Sequence, residues 1–171
     1  MRYVLFGLLC FSLHGCWFHD DTADDVEVEP DFSFYEPVLL TRTEFETSVK
    51  LKSPEPIIKS GKIYIKDRFL FVNELRKGFH IFDNSNPANP VKISFISAPG
   101  STDLAIRENV FYINQATDLI AVEFQAANNM LKVSKRIRNA FPEILDPNGF
   151  FANNVPEESV VVDWKLKNES E

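Results

Sequence analysis

Phe69-Leu70-Phe71-Val72-Asn73-Glu74-Leu75-Arg76-Lys77-Gly78-Phe79-His80-Ile81-Phe82-Asp83 is the stretch that decides the fold of this chain. Large apolar residues recur at Phe69 and Phe71, then at Phe79 and Ile81, on either side of Arg76-Lys77-Gly78. A period of two belongs to a half-buried strand, because successive side chains on extended backbone point to opposite faces. A glycine-containing polar triplet between two such runs reads as a tight turn. Just upstream, Ile63 and Ile65 followed by Lys66-Asp67-Arg68 add a third short strand and a second turn.

Working outward, the pattern repeats. A shift of 41 residues sets Ile63, Ile65, Phe69, Phe71 and Asn73 against Leu104, Ile106, Val110, Tyr112 and Asn114. One residue is lost in the next turn, and a shift of 40 then sets Phe79 to Asp83 against Leu119 to Glu123, and Lys92 and Ser94 against Lys132 and Ser134. A period of about 40 residues with about four short strands per unit is the signature of propeller blades. Two unrelated antiparallel sheets with similar strand spacing are the blander alternative. The fold class expected is therefore mostly β, with about two propeller-like antiparallel repeat blades over 61–140, an incomplete ring, and one short N-terminal helix.

The flanks are organised around this body. Phe32 to Leu40 is an apolar lead-in, and Thr41-Arg42-Thr43-Glu44 is a capping box, Thr at the N-cap and Glu three residues on, opening a helix through about Val49. Leu51 to Ser60 carries Pro54 and Pro56 and reads as extended linker or edge, closing a lead-in segment over 37–60. A C-terminal extension over 141–171 holds one strand around Val160-Val161-Val162.

Gly-Lys-Ile-Tyr-Ile-Lys at 61–66, Phe-Leu-Phe-Val-Asn-Glu at 69–74 and Gly-Phe-His-Ile-Phe-Asp-Asn-Ser-Asn-Pro at 78–87 resemble the LVIVD-repeat β-propeller lipoproteins of Bacteroidetes. Phe79 to Asp83 and Leu119 to Glu123 stand where that family has its eponymous repeat. Pro37 to Arg42, Phe141-Pro142, Asp146 to Phe150 and Val160 to Trp164 resemble segments that follow the same order there. Members of the family usually carry further blades, whereas two blades cannot close a ring of at least four. The resemblance therefore implies a short form, a fragment, or closure by another chain at open sheet edges.

The N-terminus carries an address. Met1-Arg2 is a one-charge n-region and Tyr3 to Leu13 is an almost unbroken apolar run, too short for the roughly 20 residues that span a bilayer. Leu13-His14-Gly15-Cys16 resembles the bacterial lipobox, which implies a signal peptide over 1–15 and lipid attachment at Cys16. A buried N-terminal element with an incidental cysteine is the alternative. Several acyl chains give stable anchoring, each buried methylene contributing about 0.8 kcal/mol. Residues 16–36 then form an acidic flexible tether, with seven acids and no Lys or Arg between Cys16 and Asp31. Acids behind a lipidated cysteine resemble the export signals of surface-exposed lipoproteins, and Asp21-Thr22-Ala23 resembles a short O-glycosylation motif of the same bacteria.

The 171 residues have a net charge of −7. Much of the acidity lies in the tether: from Phe32 onward 17 basic residues face 18 acidic ones. Neither balance suits a nucleic-acid partner, which requires clustered positive charge.

Residues able to carry chemistry are few by composition. His14 leaves with the signal peptide, His19 sits in the tether, and His80 points away from Phe79 and Ile81, toward solvent or a space between blades, in a structural or surface role. Asp83-Asn84-Ser85-Asn86-Pro87-Ala88-Asn89-Pro90 offers oxygen donors, but it lacks the central Gly of an EF-hand and has Ser94 at position twelve, so Asx-turn chemistry is the expected reading. Lys132, Lys135, Arg136 and Arg138 read as a solvated strand, with a docking patch for an acidic partner as the alternative. Phe141, Phe150, Phe151 and Trp164 read as core more readily than as a sugar-binding surface. No catalytic residue, metal ligand or cofactor site is expected. The chain reads as a lipid-anchored protein of the cell envelope, at the outer membrane, with a non-enzymatic binding or scaffold role. The alternatives are a subunit of an envelope enzyme completed by other chains, and a truncated remnant.

Overall fold

A computed structural model describes residues 34–125 and 130–167. The period-two stretches become strands and the triplets between them become turns, giving two antiparallel sheets. The first holds β2 (Lys50–Lys52), β3 (Ser60–Lys66), β4 (Phe69–Glu74), β5 (Gly78–Asp83) and β6 (Val91–Ser97), in the spatial order β2-β6-β5-β4-β3. The second holds β7 (Ser101–Arg107), β8 (Val110–Gln115), β9 (Asp118–Gln125) and β10 (Met130–Ile137), in the order β10-β9-β8-β7. Each is a four-stranded meander, and the first gains β2 at its outer edge from the lead-in. The described residues are mostly β, in propeller-like antiparallel sheets with no closed barrel among them.

The repeat is written into the backbone as well as the side chains. Asp67 and Glu108, 41 residues apart, both adopt left-handed φ, near 52° and 54°, as first residues of two-residue hairpin loops. Arg76 and Ala116, 40 residues apart, also adopt left-handed φ, at 60° and 47°, in the next turn of each blade. The lost residue is visible too: three residues join Glu74 to its partner Gly78, but two join Gln115 to Asp118. Gly78, at φ 148°, lies so close to β6 that an added Cβ would stand 1.9 Å from the Ile96 carbonyl oxygen.

One face of the first sheet packs on one face of the second. Phe71, Phe79, Ile81 and Ile96 meet Leu104, Phe111, Ile113, Ile120 and Val122 in one buried cluster. Phe71 and Phe111 contact edge-on with centroids 4.9 Å apart, an arrangement that adds about 0.5–1.5 kcal/mol to the burial itself. At the rim of this interface Lys62 Nζ donates to Asp103 at 2.6 Å, and the Tyr64 hydroxyl donates to the same carboxylate.

A third, two-stranded sheet pairs β1 (Tyr35–Thr41) with β11 (Ser159–Leu166), so the lead-in and the C-terminal extension meet. Helix α1 (Arg42–Thr47) follows β1 with both halves of the capping box formed at Thr41 and Glu44. It stops at Thr47, short of Val49, where the Thr47 and Ser48 hydroxyls bond back to carbonyls of the last turn. Phe45 of α1, Ala116, Val160 and Val162 form a second buried cluster. Residues 1–15 and the tether through Ser33, including Cys16 and His19, lie outside the described residues.

Candidate functional site

Two buried polar centres organise the body, and although the sequence singled out Arg136 and His80 it gave the buried partner of neither. The first is built on Asp118, the opening residue of β9, whose side chain is fully buried. Arg42 Nη2 of α1 and Arg136 Nη1 of β10 each donate to Asp118 Oδ2 at 2.7 Å, while Arg42 Nη1 and the Asn139 N–H donate to Oδ1 at 3.2 Å. Burial works to raise the carboxyl pKa, but Arg136, the Asn139 N–H and Arg42 outweigh it and hold Asp118 below its ordinary range. Arg136 also donates to Gln115 Oε1 at 2.9 Å, and Gln115 in turn donates to the Phe45 carbonyl at 3.2 Å. Both guanidinium groups lie against the Phe45 ring, Arg42 at 5.4 Å and Arg136 at 5.2 Å from its centroid.

This corrects one expectation. Arg136 is not a solvated strand cation; it is mostly buried and ion-paired, and Arg138 is drawn to Glu46 at 2.7 Å. Lys132 and Lys135 are exposed as expected. A cavity of about 290 Å³ adjoins the centre, lined by Arg42, Thr117, Arg138, Asn139 and Glu143 among others. Both of its arginines are already bound to Glu46 or Asp118, so neither is a free cation for an anionic ligand.

The second centre joins Glu74 of β4 to His80 of β5. Lys59 N–H donates to Glu74 Oε1 at 2.6 Å, Ile58 N–H to Oε2 at 3.1 Å, and His80 Nε2 lies 3.1 Å from Oε2. Burial raises the Glu74 pKa, but the Lys59 N–H, the His80 ring and the Ile58 N–H prevail and hold it below its ordinary range. An ionised carboxylate only accepts, so Nε2 carries the proton. Nδ1 has no hydrogen-bond partner among the described residues.

His80 does lie across from the core members Phe79 and Ile81, paired with Val72 and Phe95. It is 0 % exposed, however, and not at the surface. Phe95 packs on its ring at 4.8 Å, and the segment before β3 is tied over Glu74, so the face is covered locally without a second blade.

The remaining candidates separate cleanly. Asp83 Oδ1 accepts from the Ser85 N–H at 2.9 Å and Asn86 Oδ1 from the Ala88 N–H at 3.2 Å, which is the expected Asx-turn chemistry. Phe150 and Phe151 are exposed, contrary to the core reading, because they lie in the irregular segment between β10 and β11. Phe141 and Trp164 are half-buried, and the Trp164 indole N–H donates to the Ile144 carbonyl at 3.0 Å. Among the described residues no cluster of three or more His, Cys, Asp or Glu has metal-binding geometry. No helix among them is long and apolar enough to cross a membrane.

Compared with protein-family profiles, curated proteins and solved structures, the chain matches none of them.

Proposed function

We propose that this chain is a lipid-anchored protein of the cell envelope, held at the outer membrane through Cys16, whose body serves as a binding or scaffold element. In this reading the two blades are of the LVIVD-repeat propeller kind, and the acidic segment behind Cys16 is a solvated leash. The observation that carries the scaffold reading is the use made of the buried charges. Both oxygens of Asp118 are taken by Arg42, Arg136 and the Asn139 N–H, and those of Glu74 by Ile58, Lys59 and His80. These groups join chain segments to one another; none is aimed into the adjoining cavity as a free nucleophile or base. The anchor rests on the n-region, the apolar run and Gly15-Cys16 occurring in order.

Cys16→Ser tests the anchor. Metabolic labelling with a fatty-acid analogue should be lost, and the protein should move from the membrane fraction to the soluble fraction. Unchanged labelling and attachment would overturn the assignment of Cys16.

A further inference from the structure

The first blade has two faces, and only one of them is covered by the second blade. Strand register puts Ile63, Ile65, Leu70, Val72, His80 and Phe82 on the face turned away from the interblade core. Their repeat equivalents in the second blade are Leu104, Ile106, Phe111, Ile113, Ile120 and Val122, which share one face by the same register logic. That face is the one buried against the first blade, with Ile113, Ile120 and Val122 at 0 % exposure. On the first blade Val72 and His80 are buried without a second blade, Leu70 and Phe82 are half-buried, and Ile63 is 61 % and Ile65 68 % exposed. The same positions of the same repeat thus form a finished interface once, and once a face that stays exposed only toward β3, at Ile63 and Ile65.

The reciprocal surface is partly exposed. The first blade covers its neighbour with Tyr64, Phe69, Phe71, Phe79 and Ile81. The equivalents on the open face of the second blade are Ala105, Val110, Tyr112, Leu119 and Ala121, of which Ala105 and Tyr112 are exposed. One chain therefore carries both halves of the interface that it has already made internally, one half on each end of its pair of blades. The charges agree. Lys62 and Asp103 are repeat equivalents and bond across the internal interface at 2.6 Å. Placing a second copy by the same repeat relation brings Asp103 of one copy to Lys62 of the next, again opposite in sign.

We propose that the exposed part of the first blade's outer face, around Ile63 and Ile65, is the docking surface for a second copy of this chain, head to tail, through the open face of that copy's second blade. Such a heterologous contact builds a ring when its rotation closes. A propeller ring has at least four blades, and the two described blades of each of two copies supply that number. Apolar burial drives the contact, and the alternation of Lys62 and Asp103 sets its direction. This deepens the scaffold reading by naming the partner, and it does not depend on acylation at Cys16.

Photocrosslinking in intact cells tests it. With p-benzoylphenylalanine in place of Ile65 in the full chain, irradiation should give an adduct of twice the chain mass, with the crosslink mapping to the segment around Tyr112. Tyr112→Arg in the same chain should lower the adduct at least tenfold, and Ala105→Arg, at an exposed position that the fold tolerates, should do likewise. Co-expression of a tagged chain with an intact second-blade face should restore the adduct, now carrying the tag. No adduct, an adduct to a different polypeptide, or a crosslink to the first-blade face of the second copy would each overturn the proposal. If acyl labelling of Cys16 persists in any of these cases, the anchor stands and the docking surface alone has failed.

Discussion

Asp118→Asn preserves the volume of a fully buried side chain and removes the negative charge that Arg42 and Arg136 share. The two guanidinium groups are themselves only 14 % and 12 % exposed, so water cannot replace the lost partner. Removing one member of a buried, hydrogen-bonded pair costs about 3–5 kcal/mol, because the opposite charge is left uncompensated. The upper end applies where both cations depend on one carboxylate. Glu46 moderates the cost by holding Arg42 Nε at 2.9 Å, and Gln115 holds Arg136 Nη2, which places the expectation near about 3 kcal/mol. For a domain of this size that corresponds to a melting temperature lower by roughly 10 °C. Urea unfolding followed by tryptophan fluorescence is the assay, since Trp164 sits in β11 beside the cluster built around Phe45. The midpoint should fall with no change in slope. The pH dependence follows in sign. The folded carboxyl is depressed below its unfolded value, so its contribution is present above the unfolded pKa of about 4 and lost as pH falls through the folded one. Wild type should therefore lose stability in acid more steeply than Asp118→Asn. A loss below about 1 kcal/mol, or parallel acid profiles, would falsify the claim that this carboxylate joins α1, β9 and β10.

Glu74→Gln keeps the shape of the second centre but replaces charge-assisted bonds by neutral ones about half as strong. The Ile58 and Lys59 amides should then exchange with deuterium at least tenfold faster, as measured by mass spectrometry, while unchanged protection would show that Glu74 does not tie this segment down. Gly78→Ala forces a Cβ against the Ile96 carbonyl and a left-handed φ on an L-residue, so it should cost more than about 1 kcal/mol in urea unfolding. A variant as stable as wild type would mean that β5 and β6 lie further apart than described.

The repeat was legible because half-buried strands leave a period of two in the sequence and because two blades, built alike, leave that pattern twice. Ile63 and Leu104, or Phe79 and Leu119, could be matched by offset alone. The capping box at Thr41 was legible for a similar reason, since all its partners lie within three residues. His80 was half legible: alternation assigned its face, but whether that face is covered depends on Phe95 and on the segment tied to Glu74. Asp118 was not legible at all. Its partners lie 76 residues before it and 18 after, and a single acid in a β stretch carries no spacing signal. The exposure of Phe150 and Phe151 escaped composition because aromatic content says how much core a chain can build and not which rings enter it.

By itself the sequence determined the local chemistry: strand period, turn positions, the helix start, and the repeat that makes two alike blades. These follow from interactions among near neighbours, which any short segment carries with it. Tertiary structure decided which charges are buried and how fully each of two equivalent apolar faces is covered. Both are properties of what lies across a gap, and Ile65 and Ile106 differ in environment only because one has a blade packed against it and the other copy of the same position does not.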